Sequence, residues 1–103
     1  MDLQLLYHPQ FSKDVKRLSK KYKSLVSDLK SIISEIQNNP EIGIDLGHGL
    51  RKGRMAIASK GKGKSGGARI ITYQKLIITD NCIKMVFLAM YDKNEIENVS
   101  DEY

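Results

Sequence analysis

Tryptophan is absent from this chain, and cysteine occurs once, at Cys82. A single thiol excludes an intramolecular disulfide, and Cys82 reads as a small buried residue at a strand start rather than a nucleophile. Proline occurs only at Pro9 and Pro40, so little interrupts the regular elements. The two histidines, His8 and His48, lie far apart without ligand spacing, and no metal site is expected of them. No apolar run approaches the roughly 20 residues that span a bilayer. The segment Met1–Leu6 lacks the basic flank and apolar stretch of a signal peptide. These absences lead to the expectation of a cytoplasmic protein without membrane contact.

Acidic residues are also missing, but only locally. None occurs between Leu46 and Thr79, a stretch that carries Arg51, Lys52, Arg54, Lys60, Lys62, Lys64, Arg69 and Lys75. The net charge is +5, and much of the excess sits in this block. Nothing within the block can neutralise it, which points to an anionic partner.

At 103 residues, the chain has the length of a single domain, 1–103. Leu3, Leu5 and Tyr7 alternate with other residues and predict a strand over residues 2–7. Phe11, Val15, Leu18 and Tyr22, then Leu25, Leu29, Ile32, Ile33 and Ile36, follow helical spacing. The patch Lys20–Ser24 is a plausible break, which makes the run a helical hairpin. Asn38-Asn39-Pro40 ends it. Residues 41–49 read as a glycine-rich loop. Strands are expected at Leu50–Ala58, Ala68–Ile78 and Cys82–Tyr91, with a lysine- and glycine-rich loop over 60–67 and a turn at Thr79-Asp80-Asn81. The tail Asn94–Tyr103 is a candidate for a short helix. The expected fold is α+β, with an amino-terminal strand and a helical hairpin packed on one face of a small, mainly antiparallel sheet.

Alternation along the strands sorts the side chains. Met55, Ile57, Ile70, Val86, Leu88 and Met90 are expected beneath the helices. Phe87, Ala89 and Tyr91 are expected on the other face, which gathers Lys52, Arg54, Arg69, Tyr91 and Lys93. Guanidinium groups hold phosphates bidentately, and a ring stacks on an unpaired base, so this face suits RNA. The assignment depends on register, because a slip of one residue reverses every side chain.

Three segments carry a family resemblance. They are Gly49-Leu50-Arg51-Lys52-Gly53-Arg54-Met55-Ala56, Gly63-Lys64-Ser65-Gly66-Gly67-Ala68-Arg69-Ile70-Ile71-Thr72-Tyr73, and Tyr91-Asp92-Lys93-Asn94-Glu95. Together with Phe11–Val15 and the helical hairpin, they resemble the RelE/ParE toxin superfamily, and within it the HigB-like branch of RelE toxins. The resemblance implies a toxin of a type II toxin–antitoxin pair that cleaves mRNA on the ribosome without a metal or other cofactor. It implies a cognate antitoxin as partner, besides the ribosome and mRNA. By position, Lys52 and Arg54 match the family's basic strand pair, Arg69 the arginine opening the next strand, and Lys93 the basic residue after the last strand. The family often adds a tyrosine near the carboxyl end; Tyr91 and Tyr103 are the candidates.

Cleavage of RNA by its own 2′-hydroxyl needs a base, cations for the phosphorane charge, and an acid for the leaving 5′-oxygen. Clustered cations disfavour one another's protonated form, so a lysine among arginines can serve as base. The expected roles are Lys52 as base, Arg54 and Arg69 as phosphate clamps, and Lys93 as acid or electrostatic partner. Lys60, Lys62 and Lys64 are expected to touch RNA phosphates. Gly63-Lys64-Ser65 is not a phosphate-binding loop of the P-loop type, because Ala58 stands where a glycine is needed and a strand follows. One rival reading is a ParE-like toxin that binds DNA gyrase without chemistry, and another is a plain RNA-binding module. The first has no need of the cationic set.

Overall fold

The computed structural model describes residues 2–95. Strand β1 spans Asp2–Tyr7, helix α1 Pro9–Lys21, and helix α2 Leu25–Asn38. Strands β2 (Ile44–Gly47), β3 (Leu50–Met55), β4 (Ala68–Ile77) and β5 (Cys82–Asp92) follow, with a 3₁₀ turn at Ala58–Lys60 after β3. The five strands form one sheet in the order β1-β5-β4-β3-β2. Only β1 runs parallel to its neighbour, β5; the other pairings are antiparallel.

The helix limits have local causes. His8 caps α1, its Nδ1 accepting from Gln10 N at 3.0 Å, and Pro9 occupies the first turn, where no partner for its nitrogen is needed. The break falls at residues 22–24, inside the expected patch. There Ser24 Oγ meets Asp28 at 2.7 Å and accepts from Ser59 N at 2.8 Å, while Asp28 accepts from Ala58 N at 3.0 Å. The start of α2 is thereby tied to the 3₁₀ turn.

Both helices lie on one face of the sheet. Phe11, Leu18, Leu25, Ile32 and Ile36 pack on Met55, Ile57, Ala68, Ile70, Met85, Phe87 and Met90. Each large aliphatic side chain so buried stabilises the fold by about 1.5–3 kcal/mol. Two sequence expectations are corrected here. The core residues of β5 before Leu88 are Met85 and Phe87; Val86 and Leu88 are half-buried. The cause is a bulge: Ile71 pairs with Ala89 but Thr72 pairs with Phe87, so Leu88 has no partner. One extra residue reverses the alternation. Strict period-two reading from Met90 backwards therefore put Phe87 on the wrong face.

Residues 41–49 also hold more than a loop, since Ile44–Gly47 form β2. Arg51 fastens it, donating to the carbonyls of Glu41, Ile42 and Gly43. The hairpin turns through Gly47, His48 and Gly49, all at positive φ. The carboxyl-terminal segment considered for a helix lies, beyond Glu95, outside the described residues, as does Tyr103.

Candidate active site

Among the described residues, no helix packs on the other face of the sheet. Arg54 of β3 pairs directly with Arg69 of β4, and Arg69 pairs with Tyr91 of β5. Directly opposed residues share a face, so the three side chains form a row across three strands. Lys52 lies two residues from Arg54 on that face, opposite Ile71. Lys93 follows the end of β5, and its N donates to Gly67 O at 3.1 Å, extending the ladder by one residue. Arg54 and Lys93 are exposed; Lys52, Arg69 and Tyr91 are half-buried. The bulge at Leu88 lies between the two halves of β5, and it brings Tyr91 onto the open face together with Ala89.

Like charges placed directly opposite each other disfavour folding. Among the described residues, no carboxylate lies within ion-pair distance of Lys52, Arg54 or Arg69. Arg69 is instead steadied by carbonyls: Nη1 donates to Lys64 O at 3.1 Å and Ala68 O at 3.2 Å, and Nη2 to Ser65 O at 3.2 Å. These bonds aim the guanidinium while leaving its charge uncompensated. They also fold the loop back over the start of β4.

The glycine pair in that loop has a steric reason. A Cβ on Gly67 would collide with Met55 O, and one on Gly66 with the side chain of Lys62. Gly67 thus lets the chain enter β4 pressed against the end of β3. That close approach sets Arg69 opposite Arg54.

The three loop lysines part company. Lys62 and Lys64 are exposed, with Lys64 Nζ 3.7 Å from Glu35. Lys60 turns inward, contrary to the expectation that it contacts RNA. Its Nζ donates to Asp92 Oδ1 and to Gly66 O, each at 2.7 Å, and its side chain is 8% exposed against 1% for Asp92. Tyr22 Oη donates to the other oxygen of Asp92, and Asn94 N donates to Oδ1 at 3.1 Å. Burial pushes the Asp92 carboxyl up, but the bonds from Lys60, Tyr22 and Asn94 outweigh it and hold the group below its usual range. The hydrogen bond to Asp92, then burial, pushes the Tyr22 phenol up.

This cluster joins the helix-to-helix turn, the 3₁₀ turn and the end of β5 directly behind the cationic row. Sequence reasoning missed it, although a signal existed: continuing the alternation past Met90 puts Asp92 on the helix face. Asp14 is a second omission. It interrupts the apolar stripe of α1 between Phe11 and Leu18, is itself buried, and accepts from Met90 N at 3.0 Å. There β5 has outrun β1, so the backbone donor needs another partner.

Among the described residues, no group of three or more His, Cys, Asp or Glu side chains stands where it could hold a metal ion. No helix among them is long and apolar enough to cross a membrane.

The family model described as "RelE toxin of RelE / RelB toxin-antitoxin system" matches residues 11–103. The chain belongs to the RelE toxin family. It is therefore the toxin member of a toxin–antitoxin system, a class that generally inhibits translation, and membership implies an antitoxin partner. In this RelE toxin, two helices on a five-stranded, mostly antiparallel sheet agree with the fold expected from the resemblance.

Proposed function

We propose that this RelE toxin is a cytoplasmic endoribonuclease of the HigB-like branch that cleaves mRNA on the ribosome, with no metal in the reaction. The supporting observation is the Arg54–Arg69–Tyr91 row on the sheet face away from the helices, with Lys52 one step along from Arg54. Two arginines stand directly opposite each other in the register, and among the described residues neither has a carboxylate within ion-pair distance. A phosphate seated there would be held by planar, charge-assisted bonds and would relieve their repulsion.

In this reading, the 2′-hydroxyl of the substrate attacks the adjacent phosphorus and gives its proton to Lys52, the base of the step. Arg54 and Arg69 take up the charge that grows on the phosphorane oxygens. The bond from phosphorus to the 5′-oxygen breaks, and Lys93 supplies the proton that the leaving oxygen needs. The products are a 2′,3′-cyclic phosphate and a 5′-hydroxyl. Tyr91 flanks Arg69 and offers a ring on which a base can stack. Lys62 and Lys64 add phosphate contacts that depend on salt and not on sequence.

The test is expression in a translating extract, with mRNA ends mapped for wild type and Arg69→Ala. Cuts made by wild type and lost in the variant support the reading. Intact mRNA with inhibited gyrase supercoiling would replace it with the ParE-like alternative.

A further inference from the structure

Below the cationic row, the open face continues as a series of further rows. Leu50, Tyr73, Val86 and Leu6 stand opposite one another across β3, β4, β5 and β1. None of the four is fully buried, and neither described helix packs on them. One row further, Lys75 pairs directly with Lys84, and Lys84 with Gln4.

The Lys75–Lys84 pair repeats the anomaly of Arg54 and Arg69. Two cations face each other across an antiparallel ladder, an arrangement that costs stability. Among the described residues, neither has a carboxylate within ion-pair distance. The nearest acid in the register is Asp2, diagonal to Lys84 and opposite Cys82, and it makes no such pair. Lys75 lies six positions after Arg69 along β4, about 20 Å at roughly 3.3 Å per residue.

We infer that the whole open face is a track for single-stranded RNA, in which Lys75 and Lys84 hold a phosphate a few nucleotides from the one seated at Arg54 and Arg69. The apolar row between them receives the intervening bases, with Tyr73 as the stacking ring. Alternating cationic and apolar bands match the phosphates and bases of an extended strand, and every base has a face to offer a ring. Gly49 makes room for that ring: a Cβ there would sit 3.0 Å from Tyr73 Cε1 and 2.7 Å from Gln74 O. This inference rests on the nuclease reading for the location of the scissile phosphate, but the row has its own measurable consequence.

The experiment measures binding of the full chain to a fluorescent 2′-O-methylated oligouridylate of about twelve nucleotides, within the footprint of small single-strand binders. The blocked hydroxyl prevents cutting. Titrations run over a salt series for wild type, Lys75→Gln/Lys84→Gln, Tyr73→Leu and Tyr73→Phe. Each lost phosphate contact lowers the slope of log affinity against log salt by about 0.7. The double variant should therefore lose up to about 1.4 in slope. It should melt no lower than wild type, because it sheds a repulsive pair. Tyr73→Leu should bind at least about fivefold more weakly, and Tyr73→Phe should match wild type, since it keeps the ring.

An unchanged slope in the double variant, or no binding by wild type, overturns the track. Cleavage in the translating extract still decides the nuclease reading separately. If the double variant binds RNA as wild type does but loses the antitoxin, the row belongs to the antitoxin and the inference fails.

Discussion

Lys60 and Asp92 form an ion pair sealed between the 3₁₀ turn and the end of β5, with Nζ 2.7 Å from Oδ1. A buried pair of this kind is weak evidence for stability as such, but breaking it leaves a charge without a partner. Lys60→Met should therefore destabilise the protein by about 3 kcal/mol, toward the low end of the range for such breaks, because Tyr22 and Asn94 still support the carboxylate. Adding Asp92→Asn should recover part of the loss. Chemical denaturation of the two variants checks both statements. If Lys60 were an exposed RNA contact, Lys60→Met would leave the denaturation midpoint unmoved.

The same cluster sets a pH range. The Asp92 carboxyl is held below its ordinary value near 3.9, so its contribution is present at neutral pH and disappears only as pH falls through the lowered value. The Tyr22 phenol is raised above its ordinary value near 10, so its contribution is full below that pH and is lost as pH rises through the raised value. Stability from this source should be flat from about pH 5 to 9 and fall outside it. Tyr22→Phe should remove the alkaline fall, and Asp92→Asn should weaken the acid one. Denaturation midpoints across pH give the answer, and an alkaline loss that persists in Tyr22→Phe would assign it to another group.

The sequence carried most of this architecture because its signals were local. Helical spacing from Phe11 to Ile36, the break at Lys20–Ser24 and the strand composition after Leu50 each follow from neighbouring residues. The cationic face was legible for the same reason: Lys52 and Arg54 are two apart, and Arg69 opens the next strand. Three features were not readable in this way. The Leu88 bulge reverses alternation through a pairing choice with β4, which no local pattern reports. Residues 44–47 form a strand because Arg51 collects their neighbours' carbonyls, although the segment is rich in glycine. Lys60 looks like Lys62 and Lys64 in sequence and differs only because Asp92 and Tyr22, remote in the chain, meet it.

Arg69 has two duties that can be separated. It stands opposite Arg54 in the strand register, and its guanidinium holds the carbonyls of Lys64 and Ser65. Arg69→Ala should lower mRNA cleavage by about 100- to 1000-fold if it stabilises the transition state as a dedicated donor would. Hydrogen exchange over residues 61–67 should rise in the same variant, because the loop loses its anchor. Arg69→Lys keeps the charge but not the planar fork, so loop protection and cleavage should both remain impaired. Cleavage restored to the wild-type rate in Arg69→Lys would argue for charge alone.

Gly67 tests whether the close approach of β3 and β4 is needed. Its Cα faces Met55 O so tightly that no Cβ fits. Gly67→Ala must push the entry to β4 away from the end of β3, and overpacking of this kind costs about 1–3 kcal/mol. The displaced residues are the ones next to Arg69 and Lys93, whose backbone nitrogen bonds to Gly67 O at 3.1 Å. Cleavage should thus fall further than the loss of stability explains when assayed at a temperature where the variant is folded. Ser65→Ala, in the same loop but bonded to Arg69 only through its carbonyl, should leave both properties intact. A Gly67→Ala protein that melts and cleaves like wild type would mean that the strands can part without disturbing the row, and that their tight contact has no role in aiming Arg69 at Arg54.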